Sequence, residues 1–206
     1  IIPRIFDGIF AADTGISTTE GASRITSMKV DLDTNCTGAF THDSLLSALI
    51  SELKNGTSMI ESIDDITYRR KTNTSGSVGA QFRHNLDFVT SLLRGIENGR
   101  IDHSDRERDV RVETDRECAI GRFDTLIGRL KDLNPRIMGK NVLVRSEVDG
   151  KMWLPSSVAR ETEFVYSHTV HHHALIAEKL AALGINSNGL FGVAPSTLEY
   201  WKKQAA

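Results

Sequence analysis

Beyond residue 41, apolar residues return at every third or fourth position, the spacing of helices that each bury one face. Leu45, Leu46, Leu49, Ile50, Leu53, Met59, Ile60 and Ile63 mark a first helix over roughly His42 to Ile66, with Gly56 as a weak point that a helix tolerates. Polar residues between Tyr68 and Gly76 predict a loop. Val78, Phe82, Leu86, Val89, Leu92, Leu93 and Ile96 then trace a second helix, which Gly99 closes because glycine enters the left-handed region without steric cost. From 100 to 117 the period fails: five arginines (100, 106, 108, 111, 116) interleave with seven acids, the mark of a solvated connection. Thr114 and Glu117 fit a capping box that opens a third helix, whose face is Ala119, Ile120, Phe123, Leu126, Ile127, Leu130 and Leu133 before Pro135 stops it.

Between Asn141 and Leu154 the pattern is that of strands. Val142, Leu143, Val144 and Val148 precede Asp149-Gly150, and Met152, Trp153 and Leu154 follow, so a tight hairpin turn with positive φ at both central residues is expected there. Pro155, Ser156 and Ser157 open a last helix that runs to Leu183 and Gly184, with Glu161 and Glu163 near the positive end of its dipole. The expected fold class is all-α: a four-helix bundle with a small β-hairpin between the third and fourth helices.

Length and composition agree with this. The chain of 206 residues is 39% hydrophobic and 25% charged, enough for one domain with a sizeable core. No apolar run is long enough for a membrane span, and a formal charge of -2 offers a phosphate backbone no general attraction, so neither membrane nor nucleic acid is an expected partner. Two cysteines, Cys36 and Cys118, favour a reduced, cytoplasmic setting. Residues 1–27 are rich in Thr, Ser, Gly and Asp toward their end, and Met28 opens ordinary domain composition. The expectation is a loosely ordered extension over 1–27 and a domain over 28–206.

Four of the seven histidines crowd into Ser-His-Thr-Val-His-His-His, residues 167–173, inside the last helix. His168 and His172 are four apart, so their rings lie one turn apart on one face and can reach one metal ion. At 100° per residue they are separated by about 40° and share their face with Phe164, Val165, Leu175, Ile176 and Leu183, which turns the pair toward the core. Buried imidazole nitrogens need partners, and a metal ion is one. A core histidine pair satisfied by protein groups is the alternative. The same wheel points His173 outward and leaves His171 at the margin. Thr169 stands where a zinc peptidase of the HExxH type carries its glutamate, so that chemistry is excluded.

The segments Gly79–Phe88 (GAQFRHNLDF), Ser167–Ala177 (SHTVHHHALIA) and Leu190–Tyr200 (LFGVAPSTLEY) together resemble the DinB/YfiT-like superfamily of bacterial metalloenzymes. The resemblance implies a four-helix bundle with a divalent metal held by three histidines: His84 from the second helix, and His168 and His172 from the fourth. Three imidazoles accept Zn, Ni, Fe or Cu, of which Zn, Ni or Fe is expected here, and the resemblance implies, by likeness to relatives of known activity, a low-molecular-weight thiol such as bacillithiol, mycothiol or glutathione. Leu175 departs from the glutamine that relatives often carry there. His84 lies off the centre of its own apolar stripe.

Asp87 and Glu161 are the carboxylates placed to orient a ligand ring or move a proton, since Glu161 lies two turns before His168 on nearly the same face. Three protein ligands leave positions open for a substrate, as in catalytic sites. The expected function is that of a small-molecule metalloenzyme, either a metal-dependent hydrolase or a thiol S-transferase, with a homodimer allowed by apolar outer stripes. The alternative is a non-catalytic helical binding or stress-response module.

Overall fold

The computed structural model describes residues 42–71, 76–187 and 189–205; the expected extension over 1–27 and the expected start at Met28 lie outside these. The described chain is predominantly helical with one small three-stranded sheet. Four long helices, α1 (His42–Ser62), α3 (Val78–Asn98), α5 (Arg116–Lys131) and α6 (Val158–Ala182), carry the core, and both α1 and α3 pack against both α5 and α6. Shorter helices are α2 (Asp65–Arg69), α4 (Val110–Thr114) and α7 (Pro195–Gln204).

Each boundary has a local cause. The first expected helix is broken near its end: Asp64 accepts a hydrogen bond from the Thr67 amide and starts α2 separately. Ser77 caps α3 by accepting from Ala80, and Gly99 ends it at φ 74, in the left-handed region. The expected capping box is not formed. Asp115 caps α5 instead, accepting from the Glu117 and Cys118 amides, while Thr114 Oγ1 donates to Val110 O within α4. Arg116 then ties α5 to the end of α1 through the carbonyls of Ile60 and Ile63 and through Asp65.

The segment expected to be a solvated connection is partly built in. Ile101, His103 and Val112 are buried, and Arg100–Ile101 forms β1, pairing in parallel with β2 (Asn141–Arg145). Strand β2 pairs antiparallel with β3 (Trp153–Ser157), from Asn141 opposite Ser157 to Arg145 opposite Trp153. This is the expected hairpin with a wider turn. Seven residues, 146–152, span it, and Gly150 is not among the positive-φ glycines. The turn is held by Ser146 Oγ, which accepts from the Asp149 amide, and by Arg145, which donates to Gly150 O. Pro155, Ser156 and Ser157 end β3 rather than opening a helix, and Ser157 caps α6 directly. Thus β1 continues from the end of α3, β3 leads into α6, and β2 joins them, which fixes how α3 and α6 slide relative to one another.

On α6, His173 is fully buried, contrary to the outward direction read from the wheel. Its Nδ1 lies 2.6 Å from Glu52 Oε1 on α1, its ring stacks on Phe191 at 4.5 Å, and Gly56 leaves room for its Nε2. Burial raises the Glu52 pKa, but the hydrogen bond and charge of His173 outweigh it and hold the carboxyl below its ordinary value. Glu52→Ala is expected to destabilise the fold by about 1–3 kcal/mol, because it strands a buried imidazole whose Nε2 already has no partner. Urea unfolding checks this, with Glu52→Gln losing less since an amide oxygen still accepts.

Candidate metal centre

Helix α3 presents Gln81, His84 and Phe88 along one side, and α6 presents Phe164, His168 and His172. The Thr169 hydroxyl, shared between Val165 O at 2.7 Å and Asn85 Oδ1 at 3.0 Å, joins the two helices within this face. The packing brings together the three histidines named from sequence: one nitrogen of each of His84, His168 and His172 lies within 4.8 Å of the others. Ring centroids are 5.1 Å apart for His84 and His168, 4.5 Å for His84 and His172, and 4.3 Å for His168 and His172.

The surroundings are aromatic and cationic. Phe88 stacks on His168 at 3.8 Å and on His103 at 5.1 Å, so the three rings are near-parallel. Burial first, then the charges of Arg106 and Arg83, lower the His84 pKa to about 4. Burial, then the neighbouring His172 and His84, lower His168 to about 3, and burial with His84 lowers His172 to about 4. All three rings are therefore neutral at pH 7, the state in which imidazole ligates a metal.

Hydrogen bonds set the tautomers. His172 Nδ1 lies 2.7 Å from Gln81 Oε1, which can only accept, so Nδ1 carries the proton and Nε2 keeps its lone pair. His84 Nδ1 lies 3.3 Å from Arg106 Nη1, which can only donate, so this nitrogen is the acceptor. His168 Nδ1 is buried without a hydrogen-bond partner. A metal–imidazole distance of about 2.0–2.1 Å puts two ligand nitrogens of one ion roughly 3–4 Å apart. Small side-chain rotations bring the three into that range, so the residues fit a divalent ion. Such an ion supplies Lewis acidity, polarising a carbonyl or acidifying a ligating thiol.

The two carboxylates named from sequence have other partners. Glu161 is buried and accepts from Ser156 Oγ at 2.6 Å while pairing with His103 Nε2 at 3.3 Å, and neither contact is with one of the three clustered histidines. Burial works to raise its pKa, but the hydrogen bonds from His103 and Ser156 keep it low. Asp87 accepts from the Arg108 amide at 3.4 Å, and burial raises its pKa. The groups that do touch the histidines, Gln81 and Arg106, carried no motif. Gln81 stands three residues before His84, a spacing that places both on one face of a helix, and this was the available signal. Cys118 is half-buried against the core.

No family model matches the chain. A stretch of 108 residues, half of the chain, is 27% identical to FK506-binding protein 5 of Rhizopus delemar, and covers 28% of that protein. The chain thus spans well under a third of the length of the curated relative it matches. Among the described residues no helix is long and apolar enough to cross a membrane.

Proposed function

We propose that this chain is a DinB-like four-helix bundle, formed by α1, α3, α5 and α6, that binds a divalent transition metal through His84, His168 and His172 and acts on a small molecule. The convergence of three neutral imidazoles from two helices, with donor atoms within 4.8 Å, carries this reading. Zn, Ni and Fe all suit three nitrogen ligands, and geometry with supply selects among them. The reaction classes that fit are metal-dependent hydrolysis and S-transfer from a low-molecular-weight thiol, because both use Lewis acidity at an ion with open positions.

One observation favours the second reading, a helical module without catalytic metal. Two of the three histidines already have protein partners, Gln81 and Arg106. Metal content of protein purified without a histidine tag separates the two. About one equivalent of Zn, Ni or Fe by elemental mass spectrometry supports the enzyme and directs screening toward thiol and hydrolase substrates. No uptake after reconstitution removes it and leaves the module.

A further inference from the structure

Arg106 is the feature of the site that a plain metal-binding role does not use. It belongs to the charge-rich segment between β1 and α4, yet its guanidinium is turned inward. Nε donates to His103 O at 2.9 Å, the guanidinium carbon sits 4.8 Å over the Phe88 ring, and Nη1 donates to His84 Nδ1. These contacts hold the planar group in a fixed orientation. Its ion-pair partner among the described residues, Glu147, is 3.9 Å away and largely exposed, a contact that contributes little in water. Arg83, the other cation acting on His84, is by contrast paired at 2.7 Å with Glu113.

The hydrogen bond from Arg106 to His84 is incompatible with metal ligation by that ring. If His84 binds an ion through Nδ1, the ion takes the lone pair that Arg106 uses. If it binds through Nε2, then Nδ1 must carry the proton of the neutral ring and faces another donor. On either nitrogen, loading the site would turn Nη1 away from His84 and free its N–H groups for another acceptor. Neutral ligands do not cancel the charge of a divalent ion, and Asp87, whose field reaches Arg106, makes its hydrogen bond with the Arg108 amide instead.

We infer that Arg106 is the anion-binding residue of the site, engaged with His84 in the metal-free protein and released by metal loading to hold the carboxylate of a small substrate. The inference rests on the proposed metal site and names its substrate class. A carboxylate is the group a guanidinium fork matches, through two parallel charge-assisted hydrogen bonds.

The test uses Co2+ as the metal and acetate as the probe. Co2+ uptake is followed by visible absorption in wild type, Arg106→Gln and Arg106→Lys, and acetate is then titrated into each loaded protein, with circular dichroism as the control for folding. Arg106→Gln is expected to take up Co2+ several-fold more tightly, since a competing donor and a like charge are gone, and to bind acetate at least about tenfold more weakly. Arg106→Lys, which keeps the charge without the fork, falls between. Metal-free wild type binds acetate at least about tenfold more weakly than the loaded protein. Equal acetate affinity in wild type and both loaded variants overturns the inference and leaves the metal site standing. Weaker Co2+ uptake by a folded Arg106→Gln overturns the competition on which it depends. Failure of wild type to take up Co2+ is seen before acetate is added and removes the metal reading and this one together.

Discussion

His172→Ala is expected to weaken binding of a divalent transition metal by more than about 100-fold, the upper range for losing a group that merely supports a ligand. His168→Ala together with His172→Ala abolishes stoichiometric uptake, because His84 alone offers one monodentate nitrogen. Isothermal titration with Zn2+ reads both effects. Gln81→Leu is the informative companion: it keeps all three ligands and removes the acceptor that fixes the His172 tautomer, so its loss falls between roughly 10- and 100-fold.

The pH dependence of that affinity has a definite sign. Protons compete with the metal only where the folded rings protonate, near pH 4 for His84 and His172 and near pH 3 for His168. Affinity is therefore flat from about pH 8 to 5, whereas imidazoles of ordinary pKa near 6.5 would each lose about tenfold by pH 5.5. Folding of the metal-free chain behaves differently. The unfolded rings take up protons below about 6.5 and the folded ones do not until 3–4. Stability is thus complete above pH 6.5 and declines as the pH falls through that window. A urea midpoint that stayed constant between pH 7 and 4.5 would contradict the burial of these rings.

Gly79→Ala is expected to destabilise the protein by about 3 kcal/mol, through overpacking against backbone. Helix propensity alone has the opposite sign, since alanine in place of glycine favours a helix by about 1 kcal/mol. A methyl at Gly79 would stand 2.1 Å from Glu113 O and 2.6 Å from the Tyr68 ring. Neither neighbour can yield easily. The carbonyl belongs to the backbone of α4, and Tyr68 is fully buried with its hydroxyl donating to Val112 O at 2.7 Å. In a domain of this size the change corresponds to a fall in Tm of roughly 6–12 °C. A rise in Tm would mean that α4 moves aside at little cost.

Helices α3 and α6 were legible because each has a strong period and a terminating signal, and the pair His168 and His172 followed from their position on α6. His84 was not legible from its own stripe. A helix packed against two neighbours buries two faces, and His84 lies on the one that meets α6. The same reason explains His173: a wheel centred on one stripe called its side exposed, yet α1 through Glu52 and the tail through Phe191 cover it. Strand β1 escaped notice because two residues in a charge-rich stretch give no period, and its pairing with β2 is a long-range contact. The wide hairpin turn was misread because Asp-Gly permits a tight turn without requiring one.

The sheet also bears on when the site can come into being. Its parallel pairing of β1 with β2 joins residues 40 or more positions apart, and His84 is 84 positions from His168. Forming these contacts closes long loops, an entropic cost that contacts within one helix do not carry. Until they form, only the i, i+4 pair on α6 is available to an ion. The three-imidazole centre therefore exists only in the docked arrangement of α3 and α6, and a metal bound by all three histidines would stabilise that arrangement over the separated helices.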